Sequence, residues 1–279
     1  MKKSHDGYKI VPFPRMRRLM ITIGRVTSHK HTIRGLVEID VTRARQSMRE
    51  HKARTGEHLS FTAFLAACVG QAVDRNKEVH AYRNWRSQLV LFEDVDIHIQ
   101  VERDMQGQKF PVPHIVRGAN NKTVRDIQEE IRTVQAEPMS GREVKALPWV
   151  TLLPTFARQI GLWFMFKNPR LIKEFLGTVG LTAIGMFGDR GGWGIGLPSL
   201  HTLGIVVGGI AERPALVDGK VEAHEYLSVT LNFDHDLIDG APAARFTQQL
   251  MDLIESGYGL GDSTVESGQT TAPGISKKS

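Results

Sequence analysis

The sequence contains a single cysteine, Cys68, and no apolar stretch free of interruptions that is long enough to cross a membrane. One cysteine excludes an intrachain disulfide, and the apolar helical pattern around Cys68 indicates a buried, reduced thiol rather than a nucleophile. The first residues are basic but lack the apolar core of a secretory signal. We therefore expect a cytoplasmic protein.

Nucleic-acid and metal-binding motifs are also missing. The formal net charge is +6, but the basic residues are dispersed and belong to no nucleic-acid motif, so we expect no nucleic-acid partner. Asp234, Asp236 and Asp239 cluster in sequence, yet the calcium-loop spacing requires a ligand where Ile238 stands. No metal site is expected.

The chain of 279 residues, 41% of them hydrophobic, is long enough for one large core. Strand-like and helix-like patterns alternate, which predicts an α/β fold with a mixed-sheet sandwich and flanking helices. We expect a flexible N-terminus over residues 1–10, one domain over 11–258 and a disordered tail over 259–279. The predicted elements are strands at 33–41, 89–101, 179–184 and 203–210 and helices at 62–75 and from Thr123.

The most informative stretch runs from Leu227 to Leu250. Leu227, Val229, Leu231 and Phe233 alternate with polar residues, as in a half-buried strand. His235 continues the apolar-side register, so we expect its imidazole to face inward toward a cleft. Pro242 is suited to the first turn of a following helix.

The pattern Asp-His-x-x-x-Asp-Gly-x-x-x-Ala-x-Phe, from Asp234 to Phe246, resembles the signature of the catalytic domain of dihydrolipoamide acyltransferases of 2-oxo-acid dehydrogenase complexes. Chloramphenicol acetyltransferase shares the shorter His-x-x-x-Asp-Gly. Further segments resemble the family in the same order along the chain: Val11 to Arg18, His31 to Thr42, Leu59 to Leu65, Leu91 to Ile97 and Ile184 to Gly188. The resemblance implies a chloramphenicol-acetyltransferase-like fold.

The resemblance also implies an enzyme that moves an acyl group between coenzyme A and a thiol acceptor such as dihydrolipoamide. His235 would be the general base and Thr182, two residues before Ile184-Gly185, the donor to the oxyanion. Asp239 would fix the catalytic loop through Arg15, Arg17 or Arg18, unless it is only a helix N-cap. The positive net charge suits the phosphates of coenzyme A.

The family implies a homotrimer in which His235 of one subunit meets Thr182 of its neighbour, and a larger cubic assembly remains open. The pattern of an attached lipoyl domain is missing, so we expect any lipoyl group to arrive on a separate carrier. One departure is Asp236, where these enzymes usually carry arginine. Two rival functions stay open: an O-acyltransferase acting on a small hydroxylated compound, and an inactive trimeric scaffold.

Residues 137–176 do not resemble the family. The apolar part, Ala146 to Phe166, is interrupted by Pro148, Pro154 and Arg158, which argues against a membrane span. We expect an apolar helical insert that covers a subunit interface or the acyl pocket. The alternative is contact with a membrane surface or a partner through 146–176.

Three other motif-like features carry less weight. The string Gly192-Trp193-Gly194-Ile195-Gly196 lacks the context of a dinucleotide fingerprint and is set aside. His98 and His114 have no metal-ligand partners in sequence and are assigned to packing or surface hydrogen bonds.

Overall fold

The computed structural model describes residue 8 and residues 10–105, 108–136, 153–183, 191–196 and 199–261. The expected flexible N-terminus (1–10) and disordered tail (259–279) lie largely outside these residues, as does the 137–152 part of the insert. The helices are α1 (Arg15–Thr27), α2 (Thr42–Thr55), α3 (Phe61–Asp74), α4 (Val124–Ala136), α5 (Thr155–Phe166), α6 (Pro169–Leu176) and α7 (Gly240–Glu255). The strands are β1 (Thr32–Asp40), β2 (Tyr82–Arg83), β3 (Leu89–Val90), β4 (Ile97–Met105), β5 (Gln108–Val116), β6 (Val179–Ala183), β7 (Leu203–Val217) and β8 (Lys220–Asp234).

Six strands form one mixed sheet in the order β1-β8-β7-β6-β4-β5, and β2 and β3 form a separate two-stranded ribbon. Strand β6 is parallel to both β7 and β4, whereas the other neighbours are antiparallel. The predicted mixed-sheet α/β fold is confirmed.

The two faces of the sheet differ in chemistry because side chains alternate along each strand. One face is apolar and fully buried, and α3, α4 and α7 cover it. Cys68 on α3 lies in this core, where burial raises the pKa of its thiol. The core face includes Ile97, Ile99, Leu181, Ile205 and Leu231.

The opposite face carries polar side chains along β4, β6 and β8. His98 lies beside Gly180 across the β4–β6 pair, and Gly180 is a point of close packing on this face. A Cβ at Gly180 would lie only 2.6 Å from Nδ1 of His201, so the imidazole rests directly on the backbone of β6. The absence of a side chain at position 180 sets the position of that ring.

Local signals at helix starts behave as the sequence predicts. The Asp126 carboxylate accepts from the Thr123 backbone N–H at 2.8 Å, and the Asp126 N–H donates to the Thr123 hydroxyl at 3.2 Å. This is the reciprocal capping arrangement expected at the start of α4. The described part of the insert forms α5 and α6, and α5 packs against α1.

Candidate active site

His235 occupies the first position of the turn that follows β8. Its backbone N–H donates to the carbonyl of His31 at 2.6 Å, which ties the end of β8 to the residue before β1. The expectation that the ring faces inward is wrong for the single chain, because 44% of the side chain is exposed. The strand ends at Asp234, so the turn, and not the strand register, sets the direction of the imidazole.

Buried contacts hold the residue before the histidine. The Asp234 side chain is 8% exposed and pairs with Lys30, whose Nζ lies 3.1 Å from Oδ2. The same ammonium group donates to the carbonyls of Leu200 and His201, and the Asp234 N–H donates to the carbonyl of Thr202. The main chain at His235 is therefore fixed on both sides while its ring remains free.

Asp236, the residue after His235, pairs with a histidine. Its Oδ1 lies 2.8 Å from Nδ1 of His31, and this hydrogen bond raises the pKa of His31 above its ordinary value. This pair bridges the turn at His235 to the residue before β1.

Asp239 stands at the N-cap position of α7, but its side chain makes no capping hydrogen bond. Its Oδ1 lies 3.8 Å from Nδ1 of His235, and 88% of the side chain is exposed. Among the described side chains, neither Arg17 nor Arg18 forms an ion pair with it, and the side chain of Arg15 lies outside the description. The carboxylate therefore lies beside the imidazole just beyond hydrogen-bond distance.

Thr182 is exposed near the end of β6 and lines a cavity of about 350 Å³ together with Gly180, His98 and His201. Nε2 of His201 lies 2.9 Å from the carbonyl oxygen of Leu176. Because a carbonyl oxygen only accepts hydrogen bonds, Nε2 carries the proton and donates it to this bond. Burial lowers the pKa of His201 to about 3 and that of His98 below its ordinary value, so both rings are neutral.

Sequence reasoning missed part of this cavity. The sequence patterns do not indicate a role for His201, and they predict that His98 serves in packing or surface hydrogen bonding. The set-aside glycine string also lines the cavity, through Gly194, Ile195 and Gly196. Alternation of side chains along the strands places His98, Gly180 and Thr182 on one face of the sheet. This alternation can be recognised in the sequence around His98, but not around Gly180 and Thr182.

The sheet register separates Thr182 from His235 within one chain. Thr182 lies opposite Val206, which lies opposite Thr230 on β8. Because His235 follows Thr230 by five residues and β8 is two strands from β6, the two sites are roughly 17 Å apart along the strands and roughly 10 Å across them. A base and an oxyanion donor must both reach one carbonyl group within about 3 Å, so one chain does not bring these two residues together.

A larger cavity of about 780 Å³ adjoins the turn that contains His235. Asp234, Asp236 and Leu237 form one side, the end of α1 forms a second and α5 forms a third. The insert therefore forms one wall of the space beside His235.

Among the described residues, no group of three His, Cys, Asp or Glu side chains is arranged to hold a metal ion. No helix in the described ranges has both the length and the apolar character needed to cross a membrane.

Comparison with known proteins places this arrangement in context. A family model described as 2-oxoacid dehydrogenases acyltransferase (catalytic domain) matches residues 5–143 and 174–260. The mitochondrial dihydrolipoyllysine-residue succinyltransferase component of the 2-oxoglutarate dehydrogenase complex of Saccharomyces cerevisiae is 26% identical over 259 residues, which cover 88% of this chain and 49% of that protein. The chain spans about half the length, or less, of the curated relatives it matches.

Solved structures share the fold. The dihydrolipoamide acetyltransferase of Azotobacter vinelandii, studied for the roles of a serine, a histidine and an asparagine in its catalytic mechanism, gives a TM-score of 0.65 at 18% identity, covering 92% of this chain and 95% of that one. The cubic core of a pyruvate dehydrogenase multienzyme complex gives the same values. At this identity the likeness establishes the fold.

Proposed function

The chain belongs to the family of 2-oxoacid dehydrogenase acyltransferase catalytic domains, and from this membership we propose that it transfers an acyl group between coenzyme A and a thiol acceptor such as dihydrolipoamide on a separate carrier. The observation that carries the proposal is the geometry at the end of β8. The backbone of His235 is hydrogen-bonded to His31, whereas its ring is exposed and lies 3.8 Å from the Asp239 carboxylate.

In the proposed reaction, His235 removes the proton from the acceptor thiol, and the thiolate attacks the carbonyl carbon of the acyl thioester. The new oxyanion accepts a hydrogen bond from the Thr182 hydroxyl. When the tetrahedral intermediate collapses, the bond from carbon to the sulfur of coenzyme A breaks, and the imidazolium returns its proton to that sulfur. A histidine near pKa ~6.5 and a thiol near ~8.5 are matched well enough for this exchange.

Asp239 is proposed as a positioning residue for His235. A small movement of the turn would let Oδ1 accept a hydrogen bond from the Nδ1–H group of His235, which would leave Nε2 as the base. In the Azotobacter vinelandii enzyme the histidine and asparagine of the mechanism are four positions apart. His235 and Asp239 have the same spacing, which supports the assignment.

The active site is proposed to form between subunits of a homotrimer. The support is the separation of Thr182 from His235 in one chain, set by the sheet register. A neighbouring subunit can supply the missing hydroxyl group.

The first test measures coenzyme A release and acyl-dihydrolipoamide formation from a panel of acyl-coenzyme A thioesters. His235→Ala is expected to lower kcat by about 10²- to 10⁴-fold, and Thr182→Val by about 10²- to 10³-fold. Thr230→Val is the matched control, because the Thr230 hydroxyl is buried and has no hydrogen-bond partner among the residues that the structure describes. Transfer to a hydroxyl compound but not to dihydrolipoamide, or full activity in His235→Ala, would overturn the proposal.

A second experiment tests the shared site. When His235→Ala and Thr182→Val chains are co-expressed, some mixed trimers contain one intact pair of residues, so part of the activity is expected to return. Purified mixed trimers with no recovered activity would contradict a site shared between subunits.

A further inference from the structure

The cavity of about 780 Å³ beside the catalytic turn combines family residues with a wall that the family model does not match. Residues of α1 and of the turn lie within the matched ranges, whereas Gln159, Ile160, Trp163 and Phe166 of α5 lie in the unmatched segment. We refer to this cavity as the α1–α5 groove. Its size falls in the ordinary range for small-molecule sites.

The floor of the α1–α5 groove is apolar and packed. Ile172 is fully buried and forms a cluster with Tyr82, Phe92 and Phe166, and the Tyr82 hydroxyl donates to the carbonyl of Thr178 at 3.1 Å. The outer edge of the same wall is open, since Ile160 and Trp163 are 63% and 59% exposed. The wall therefore offers a preformed apolar surface with room for a ligand against its outer half.

The charge of the groove is positive and uncompensated. Its two carboxylates are already paired, Asp234 with Lys30 and Asp236 with His31. Three lining cations, Arg25, Arg83 and Lys167, have no ion pair within the part of the chain that the structure describes. An anionic group entering the groove would meet these three cations without displacing an existing partner.

We propose that the α1–α5 groove is a substrate-specificity site that binds an elongated apolar chain ending in an anionic group. The inference rests on the proposed acyltransferase function for its catalytic meaning, because Asp234 and Asp236, the residues on either side of His235, line the groove. From Gln159 to Lys167 the wall extends about 12 Å at a helical rise of about 1.5 Å per residue. A medium-length chain lying along α5 would place its anionic end among the lining cations.

Direct binding tests the groove without turnover. Isothermal titration of the purified full chain uses three probes below their micelle concentrations: decanoate, decanol and decyltrimethylammonium. We expect saturable binding of decanoate, with decanol weaker by about tenfold, as loss of one charge-assisted contact implies. The cationic probe is expected to bind more weakly still.

Variants separate the apolar from the electrostatic contribution. Trp163→Ala is expected to weaken both decanoate and decanol by about tenfold, because it removes aromatic contact area. Arg83→Gln and Lys167→Gln are expected to weaken decanoate alone. Phe156→Ala and Arg170→Gln are matched controls, since both residues are exposed on α5 and α6 and neither lines the groove.

Two results would overturn the proposal: decanoate binding no tighter than decanol, or equal effects of the groove variants and their controls. If decanoate binds as expected but no acyl transfer is detected, the result would contradict the proposed function and leave the groove proposal intact. If transfer is detected, a preference for a thioester whose acyl chain ends in a carboxylate, such as decanedioyl-coenzyme A, over acetyl-coenzyme A assigns the groove to the acyl group, and the lack of such a preference assigns it to the acceptor.

Discussion

Replacing Gly180 by alanine tests how β6 and His201 together shape the cavity that holds Thr182. The new Cβ would lie 2.6 Å from Nδ1 of His201 and 3.1 Å from its Cε1. The ring is 5% exposed and its Nε2–H donates to the carbonyl of Leu176 at 2.9 Å. It has no space to retreat without losing that bond or moving β6.

The magnitude follows from these contacts. Overpacking costs about 1–3 kcal/mol, and loss of the buried hydrogen bond adds about 0.5–1.5 kcal/mol. Alanine in a strand recovers about 0.5–1 kcal/mol relative to glycine. We expect Gly180→Ala to lower the free energy of unfolding by roughly 0.5–4 kcal/mol, with a fall in acyl-transfer rate even at temperatures where the variant is folded.

The assay is urea unfolding followed by circular dichroism at one fixed protein concentration, since association shifts apparent stability. Gly35→Ala is the matched control: it also lies in a strand of the sheet, and the nearest atom to its new Cβ is Cβ of Leu231 at 3.9 Å. That variant is expected to be neutral or slightly stabilised. Equal stability of the two variants would refute the packing argument.

Two further predictions concern titration. Burial lowers the pKa of His80 to about 4, so the unfolded chain binds a proton near pH 6.5, whereas the folded chain does not. The resulting contribution to folding stability is present above pH 6.5 and falls as the pH drops toward 4. Between pH 7 and 5 the loss is expected to be about 2 kcal/mol, and His80→Gln should flatten the urea-midpoint profile, whereas an unchanged profile would contradict the assignment. Asp236→Asn is expected to shift the NMR titration of His31 to lower pH, because the raised pKa of His31 depends on that carboxylate; the pair is strongest below this pKa and weakens as the pH rises through it. Asp239→Asn is its control and should leave the His31 titration in place, so equal shifts in the two variants would count against the pairing.

Periodic patterns predicted the elements that hold the site. The alternation from Leu227 to Phe233 predicts the buried half of β8, and Pro242 marks the start of α7, as the structure has it. The sequence pattern does not predict the outer half of β8 as a strand, because residues 220–226 are largely polar and exposed. Its conformation comes from pairing with β7, for example Arg213 opposite His224, and a single strand's pattern does not report its partner.

Local sequence patterns do not predict the direction of the His235 side chain or the long-range contacts of the site. The alternation of side chains along β8 predicts an inward-facing His235 ring. A turn begins at that residue, however, and the alternation no longer applies where a strand ends. His201 lies in an aperiodic segment, and its ring is held by contacts with the carbonyl of Leu176, the backbone at Gly180 and the ring of His98. Such contacts join residues that are more than twenty positions apart in sequence, so no window of sequence contains them.

The insert enters between α4 and β6, and the order of strands around it is that of an uninterrupted sheet. In the proposed function, the sheet and its terminal turn supply the reaction chemistry, whereas α5, which lies outside the residues that the family model matches, forms one wall of the α1–α5 groove. Exchange of α5 (Thr155–Phe166) is expected to change which ligand the α1–α5 groove accepts, while the turn at His235 keeps its hydrogen bonds.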